Sequence, residues 1–521
     1  MSEDSALIAH WKLNGDCRDH AGVSHGENHG VAFSPDGARF DGRGAHILAP
    51  STRPLDFGSD DFSISVHIHT DEILDDIPGD ILSKYDPDAR AGVNFGLANN
   101  AGVTAAQANY RHLHFGIDSG HTGEWIDCGR PGNNLRVYSL CVFEGDLYAG
   151  TFETGAHESG GVYRYDGDAG WIDCGRPDTC NTMASLCVFN GTLYAGSSRY
   201  KAGGSALPES ENQNPGGNMF RYEGGSDWTP IGHMKGADSC AGMAVYRGRL
   251  YAIPLYSQGV FRYDGGEVWS HCGTPGRRMM SLGVFNGHLY GAGNEGESAG
   301  GVFQYDGGTG WAHAGGQEGV NQVYSFAAHN GRLHVGTWPE GKVFRDDGND
   351  PWTCAGRLGE EMEVMAMAVY NGKLYAGTLP LGQVYRYDGG DTWTLTGQLD
   401  TTPDVRYRRV WSMAVYRGKL FGGTLPSGRV YAMEAGANVS HDHELAPGWR
   451  HLVAVRRNNR LLLYVDGEQV SASSTFNASE FDLSNDKPLK IGAGGVDTFN
   501  GRLRDLRLYR RALTAEEIAN S

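Results

Sequence analysis

The sequence predicts an all-β chain, a seven-bladed β-propeller inserted into a second β-domain, and three observations carry that reading. Glycine is the commonest residue, 78 of 521, and aromatics reach 11%, as in proteins made of strands and tight turns. A hairpin-bearing unit recurs along the middle of the chain. The stretches left over at the two ends are complementary pieces of one domain.

The repeat reads SLCVFEGDLYAGT at 139, SLCVFNGTLYAGS at 185, GMAVYRGRLYAIP at 242, SLGVFNGHLYGAG at 281, SFAAHNGRLHVGT at 325, AMAVYNGKLYAGT at 366 and SMAVYRGKLFGGT at 412. The copies start roughly 40 to 57 residues apart, the period of a propeller blade. Each supplies a strand, a two-residue turn such as Asn190-Gly191 or Asn371-Gly372, and a second strand. A loop of variable length leads to a third strand of the VYRYDGG kind, and a Trp marks a fourth. Along the first strand, small residues such as Ser185 and Cys187 alternate with large ones such as Leu186, which suits wedge-shaped sheets crowded around an axis. The seventh copy lacks a Trp-led strand. The segment 123–130, GEWIDCGR, matches that strand yet precedes the first copy, so it is expected to complete the last blade and close the ring.

The remaining pieces, 1–121 and 436–521, carry LIAHWKLNGD, ARFDGRGAHI, DFSISVHIHT and RHLHFGIDSG, then PGWRHLVAVRRNNRLLLYVDGEQV, KIGAGG and FNGRLRDLRLYRRALTAEEI. Together they resemble a laminin-G-like (concanavalin A-like lectin/glucanase) jelly-roll sandwich. Neither piece could bury its apolar face alone, so an insertion at 122–435 whose ends meet keeps this host one folded unit. The inserted propeller is similar to kelch-like repeats in period and hairpin pattern but lacks their consecutive Gly-Gly. The jelly-roll resemblance implies a structural calcium ion, with Asp41 and Asp505 as candidate ligands and Asp19 as a third; plain surface turns are the alternative. Histidines such as His10, His67, His69 and His451 alternate along its strands and read as strand-face residues.

A formal charge of −18 argues against nucleic acid as a partner. No apolar run approaches membrane-spanning length and the opening residues are acidic, so neither membrane insertion nor an export signal is expected. The nine cysteines form no metal-type pair and read as free thiols, several at small-residue core positions. The chain is expected to act as a monomer.

The first-to-second and third-to-fourth turns of each blade share one face of the ring and are uniform. The opposite face carries diverse loops, and binding residues usually sit on such loops over a rigid scaffold. At that mouth the sequence places Arg136, Arg278, Gln322, Glu363, Arg409 and Trp411 as candidate binding residues for a polysaccharide or oligosaccharide, with guanidinium groups for a carboxylate or sulfate. The alternative is solvated loop charges paired with nearby acids. A polysaccharide lyase would draw its proton-transfer group from Tyr138, Tyr324, Tyr407 or His157; a glycoside hydrolase would need a pair of carboxylates. Carbohydrate binding, catalysis on an acidic polysaccharide and a protein-interaction scaffold all remain open from sequence.

Overall fold

The computed structural model describes residues 6–98, 102–103, 106–107, 111–295, 300–316 and 319–520. Among the described residues the protein is all-β apart from one short α-helix, Ala515–Ala519, and three 3-10 turns. No helix among the described residues is long and apolar enough to cross a membrane.

Two large sheets draw strands from both ends of the chain. In the eight-stranded one, Phe62–Thr70 lies between Asn500–Tyr509 and Gly448–Arg457. The seven-stranded one runs through Gly79–Asp86, Ala91–Ala98 and His112–Thr122 to Ala435–His441. Strict alternation explains their stacking: Ile64, Val66 and Ile68 share one buried core with Leu452, Ala454 and Leu503 from the same sheet and Phe95, Leu113 and Phe115 from the other. Near the C-terminus, Leu513 and Ile518 pack on Val453, Val455 and Tyr464, covering part of the sheet's outer face.

The middle of the chain forms a propeller-like ring. Its innermost strands are Arg136–Phe143, Thr182–Phe189, Gly242–Tyr246, Met279–Phe285, Gln322–His329, Glu363–Tyr370 and Arg409–Tyr416. Each abuts the next, and the last meets the first again. Hydrogen bonding divides the ring into five small sheets of four or five strands and one of eight, where the sequence predicts seven separate blades. The larger sheet arises because a single antiparallel pair, Phe152↔Thr182, joins two neighbouring four-strand runs. The early segment Ile126–Asp127 pairs with Val430–Met433, in the sheet that also holds Arg409–Tyr416. One feature is absent from the sequence reading: Gly102–Val103 and Ala106–Gln107, which lie in sequence between two sandwich strands, pair with Arg409–Tyr416 and Gly242–Tyr246.

The uniform turns meet the sandwich. Asn371, at φ 46°, is buried; its amide donates to Ile117 O (3.1 Å) and Ala435 O (3.0 Å) and accepts from Asn94 Nδ2 (3.2 Å). Both central residues of such a turn need positive φ, which Asn tolerates and glycine follows. The Asn330 and Gly145 amides likewise donate to Gly495 O and Asp442 O, each at 3.0 Å. Uniformity on this face thus coincides with docking. All nine cysteines are free, seven of them buried.

Candidate functional site

At the opposite end of the ring, Arg136 opens its inner strand and is completely buried. Its guanidinium carbon lies 3.2 Å from the Trp411 ring centroid, 3.5 Å from that of Tyr138 and 4.1 Å from that of Tyr200. None of its side-chain nitrogens has a hydrogen-bond partner. Orphaned buried donors cost roughly 1–3 kcal/mol, and more when charged, while a desolvated cation–π contact returns about 2 kcal/mol or more. The rings therefore hold the charge, and its N–H groups are left unspent. Burial and the like charge of Arg409 lower its pKa, against the pull of Tyr200 and Tyr138.

Arg409 completes the cluster. Its Nε donates to Glu363 Oε1 at 3.1 Å and its Nη1 to the Ser205 hydroxyl. Glu363 and Arg409 are both buried, so this ion pair sits out of water, where losing one partner is costly. Ser205 belongs to the turn Ala202–Ser205 within the loop 199–217, the longest link between second and third strands. The loop is anchored by Asn181, which exchanges hydrogen bonds with the Tyr200 backbone at 2.8 and 3.0 Å, and by Asn212, which donates to Glu158 O and Thr179 O at 2.8 Å each. It thus reaches from one side of the mouth to Arg409 on the other.

Two of the phenols here hold their protons firmly. Burial pushes Tyr138 up to about 12, against the pull of Arg136, and raises Tyr324 well above its ordinary value with help from the Glu363 charge. Tyr324 donates to the Gln322 side-chain oxygen. Tyr407 is half-buried, its ring centroid 5.6 Å from the Arg409 guanidinium carbon.

Of the sequence-predicted residues, Arg136, Tyr138, Arg409, Glu363 and Trp411 converge, with Tyr324, Gln322 and Tyr407 beside them. The alternative of solvated loop charges is corrected for Arg136, Arg409 and Glu363, which are buried because the long loop and the rings close over them. Arg278 and His157 stand apart: Arg278 donates from its backbone to Glu295 (2.8 Å) and from its side chain to Leu255 O (3.1 Å), and His157 is exposed. The sequence reading missed Tyr200, Ser205 and Tyr256, the last accepting from the Lys201 amide at 2.9 Å. The only sequence signal for them was the length of their loops.

The calcium candidates take part in hydrogen bonds and ion pairs of the sandwich. Asp19 accepts from the backbone amides of His10, Ala21, Gly22 and Ser24 at 2.9–3.0 Å. Asp41 accepts from Arg43 (2.8 Å) and Ala45 (3.0 Å). Asp505 is bound by His10 (2.6 Å) and Arg507 (2.8 Å). Asp19 and Asp505 thus engage both carboxylate oxygens and Asp41 its Oδ1, and among the described residues no group of three His, Cys, Asp or Glu side chains could hold a metal.

A separate groove of about 700 Å³ lies where the uniform turns face the sandwich, lined by Glu72, Arg111, Phe143, Asn190 and His443 among others. None of the sequence-predicted site residues lines it.

Residues 422–519 match the family model described as the concanavalin A-like lectin/glucanases superfamily, Laminin_G_3. The match begins inside a strand of the ring, Lys419–Leu425, earlier than the sequence-derived boundary. Searching curated proteins gave no match. Similar solved structures include "YCF48 bound to D1 peptide", 13% identical, covering 60% of this chain and 97% of that one at a TM-score of 0.42. The WD40 β-propeller domain of Doa1 is 11% identical, with 60% and 97% coverage and a TM-score of 0.41. Sqt1 of Saccharomyces cerevisiae is 9% identical, with 61% and 99% coverage and a TM-score of 0.36. The chain therefore carries a concanavalin A-like segment beside a propeller-like ring.

Proposed function

We propose that the chain is a carbohydrate-binding protein that takes an anionic saccharide at the variable mouth of a seven-bladed propeller, 122–435, inserted into a jelly roll formed by 1–121 and 436–521. The count of seven follows from reading the eight-stranded sheet as two blades bridged at Phe152↔Thr182. The observation that carries the functional reading is Arg136, a cation caged by Trp411, Tyr138 and Tyr200 with every side-chain N–H unpartnered. A carboxylate or sulfate supplies the acceptors those donors lack, and the surrounding rings offer faces on which a pyranose can stack.

Because Ser205 bonds Arg409 over the mouth, the ligand enters as the 199–217 loop withdraws. Binding is favoured over lyase chemistry because burial keeps Tyr138 and Tyr324 protonated near neutral pH. Glycoside hydrolysis is disfavoured because Glu363 is spent on Arg409.

Titration calorimetry with uronate and sulfated oligosaccharides tests this, with absorbance of an unsaturated product followed in parallel. Binding that is lost in Arg136→Met supports the reading. Product formation would make the protein a lyase. Binding of peptides alone would make it an interaction scaffold.

A further inference from the structure

The outer face of the eight-stranded sheet carries a second cationic surface, built by strand register. Because Ile64, Val66, Ile68 and Leu503 point into the sandwich core, their alternates point outward. The ladders set Arg39 opposite Arg502, Arg502 opposite His69, and His69 opposite Trp449. One row along, Arg504 stands opposite His67 and His67 opposite His451; beyond that, Arg507 stands opposite both Ser65 and His10.

Like charges directly opposite on neighbouring strands destabilise a sheet, and here Arg faces Arg. The compensation is partial. Asp71 reaches Arg39 at 3.4 Å, and Asp505 is shared between Arg507 (2.8 Å) and His10 (2.6 Å). Arg502 and Arg504 have no carboxylate within ion-pairing distance among the described residues. Arg504 stacks on Trp449 instead, 4.1 Å from guanidinium carbon to ring centroid, an arrangement that fixes the side chain without consuming its N–H donors. All these side chains except those of Ser65 and His451 keep partial exposure. The C-terminal segment, which covers Val453 and Val455 on the same face, leaves this strip open.

We propose that the Arg39, Arg502, Arg504 and Arg507 strip is a second binding surface for anionic polysaccharide, in which sulfate or carboxylate groups along one chain bridge adjacent rows. It rests on reading the ligand as an anionic glycan, but not on the Arg136 cage. Polysaccharide is favoured over nucleic acid because a net charge of −18 repels a dense phosphate polymer wherever it extends beyond the strip.

Affinity electrophoresis of the full chain in gels containing heparin, polygalacturonate or a neutral glucan provides the test, comparing wild type, Arg502→Ser/Arg504→Ser and Arg136→Met. The double variant is expected to bind the two anionic polymers roughly tenfold more weakly and to retain the wild-type Tm or exceed it, since the Arg39–Arg502 opposition is relieved. Wild-type retardation in the double variant together with loss in Arg136→Met would overturn the strip and leave the propeller site standing. Loss in the double variant alone would support the strip and overturn the mouth. If only a single-stranded oligonucleotide binds, and does so through Arg502 and Arg504, the strip is real but its occupant is wrong and the proposal falls. No retardation in any gel overturns both readings.

Discussion

Arg409 and Ser205 are joined by a hydrogen bond although 204 positions separate them. That contact ties the longest loop of the ring to the inner strand on the far side, over a caged arginine. Replacing Ser205 with Ala releases the loop without touching the inner strands. Trypsin cleavage after Lys201 is expected to accelerate several-fold, read by mass spectrometry under native conditions.

Arg136 is a stability liability. Exchanging it for Met keeps the volume and removes donors that satisfy nothing, so Arg136→Met should hold or raise the Tm. The same variant should lose saccharide binding. A fall of more than a few degrees in a thermal melt would mean that the cage is structural.

Glu363 behaves oppositely, because it is the partner that keeps Arg409 neutralised out of water. Glu363→Ala should cost roughly 3–5 kcal/mol in urea unfolding.

The buried histidines should each draw stability from the fold as pH falls below about 6.5. Burial pushes His112 and His334 down to about 3, and His114, His329, His441 and His451 down to about 4. Between those values and the unfolded value of about 6.5 the unfolded chain binds more protons than the folded one, so stability is present above pH 6.5 and lost as pH falls toward 4. Buried acids oppose this: Asp76 is raised by burial to about 7, Asp80 and Glu361 to about 6 and Asp497 well above its ordinary value, with Asp118, Glu153, Glu434, Asp442 and Glu444 raised as well. The histidine share is read by difference: in thermal melts from pH 8 to pH 4.5, the Tm of His334→Gln should rise relative to wild type as pH falls below about 6.5.

Asn371 tests the junction between ring and sandwich. Asn371→Gly preserves the left-handed backbone and should cost about 1–3 kcal/mol for the lost amide bonds. Asn371→Ala adds backbone strain and should cost more, read by chemical denaturation.

What the sequence made legible was local. Asn371-Gly372 and its six counterparts announce hairpins because a two-residue turn imposes its own φ requirement, and the alternation in 62–70 announces a half-buried strand for the same short-range reason. Arg136, Arg409 and Trp411 could be placed at the mouth by counting from those hairpins. Their burial could not, because it depends on Tyr200 and Ser205, which sit in an irregular loop whose path no periodicity encodes. The pairing of 102–103 and 106–107 with ring strands was hidden for a related reason: two-residue strands are too short to carry a pattern.

The strand Phe62–Thr70 has its two hydrogen-bonding neighbours at 448–457 and 500–509. During synthesis it must therefore wait for almost the whole remaining chain, on the order of tens of seconds at ribosomal speed. Throughout that interval Ile64, Val66 and Ile68 can pack only on the early strands of the facing sheet, and both of the strand's edges are open to pairing with other chains. The ring has most of its parts much earlier. A stop between Met433, where the last ring strand ends, and residue 448 thus yields a ring that has all its strands and carries an unfinished sandwich with an open, sticky edge.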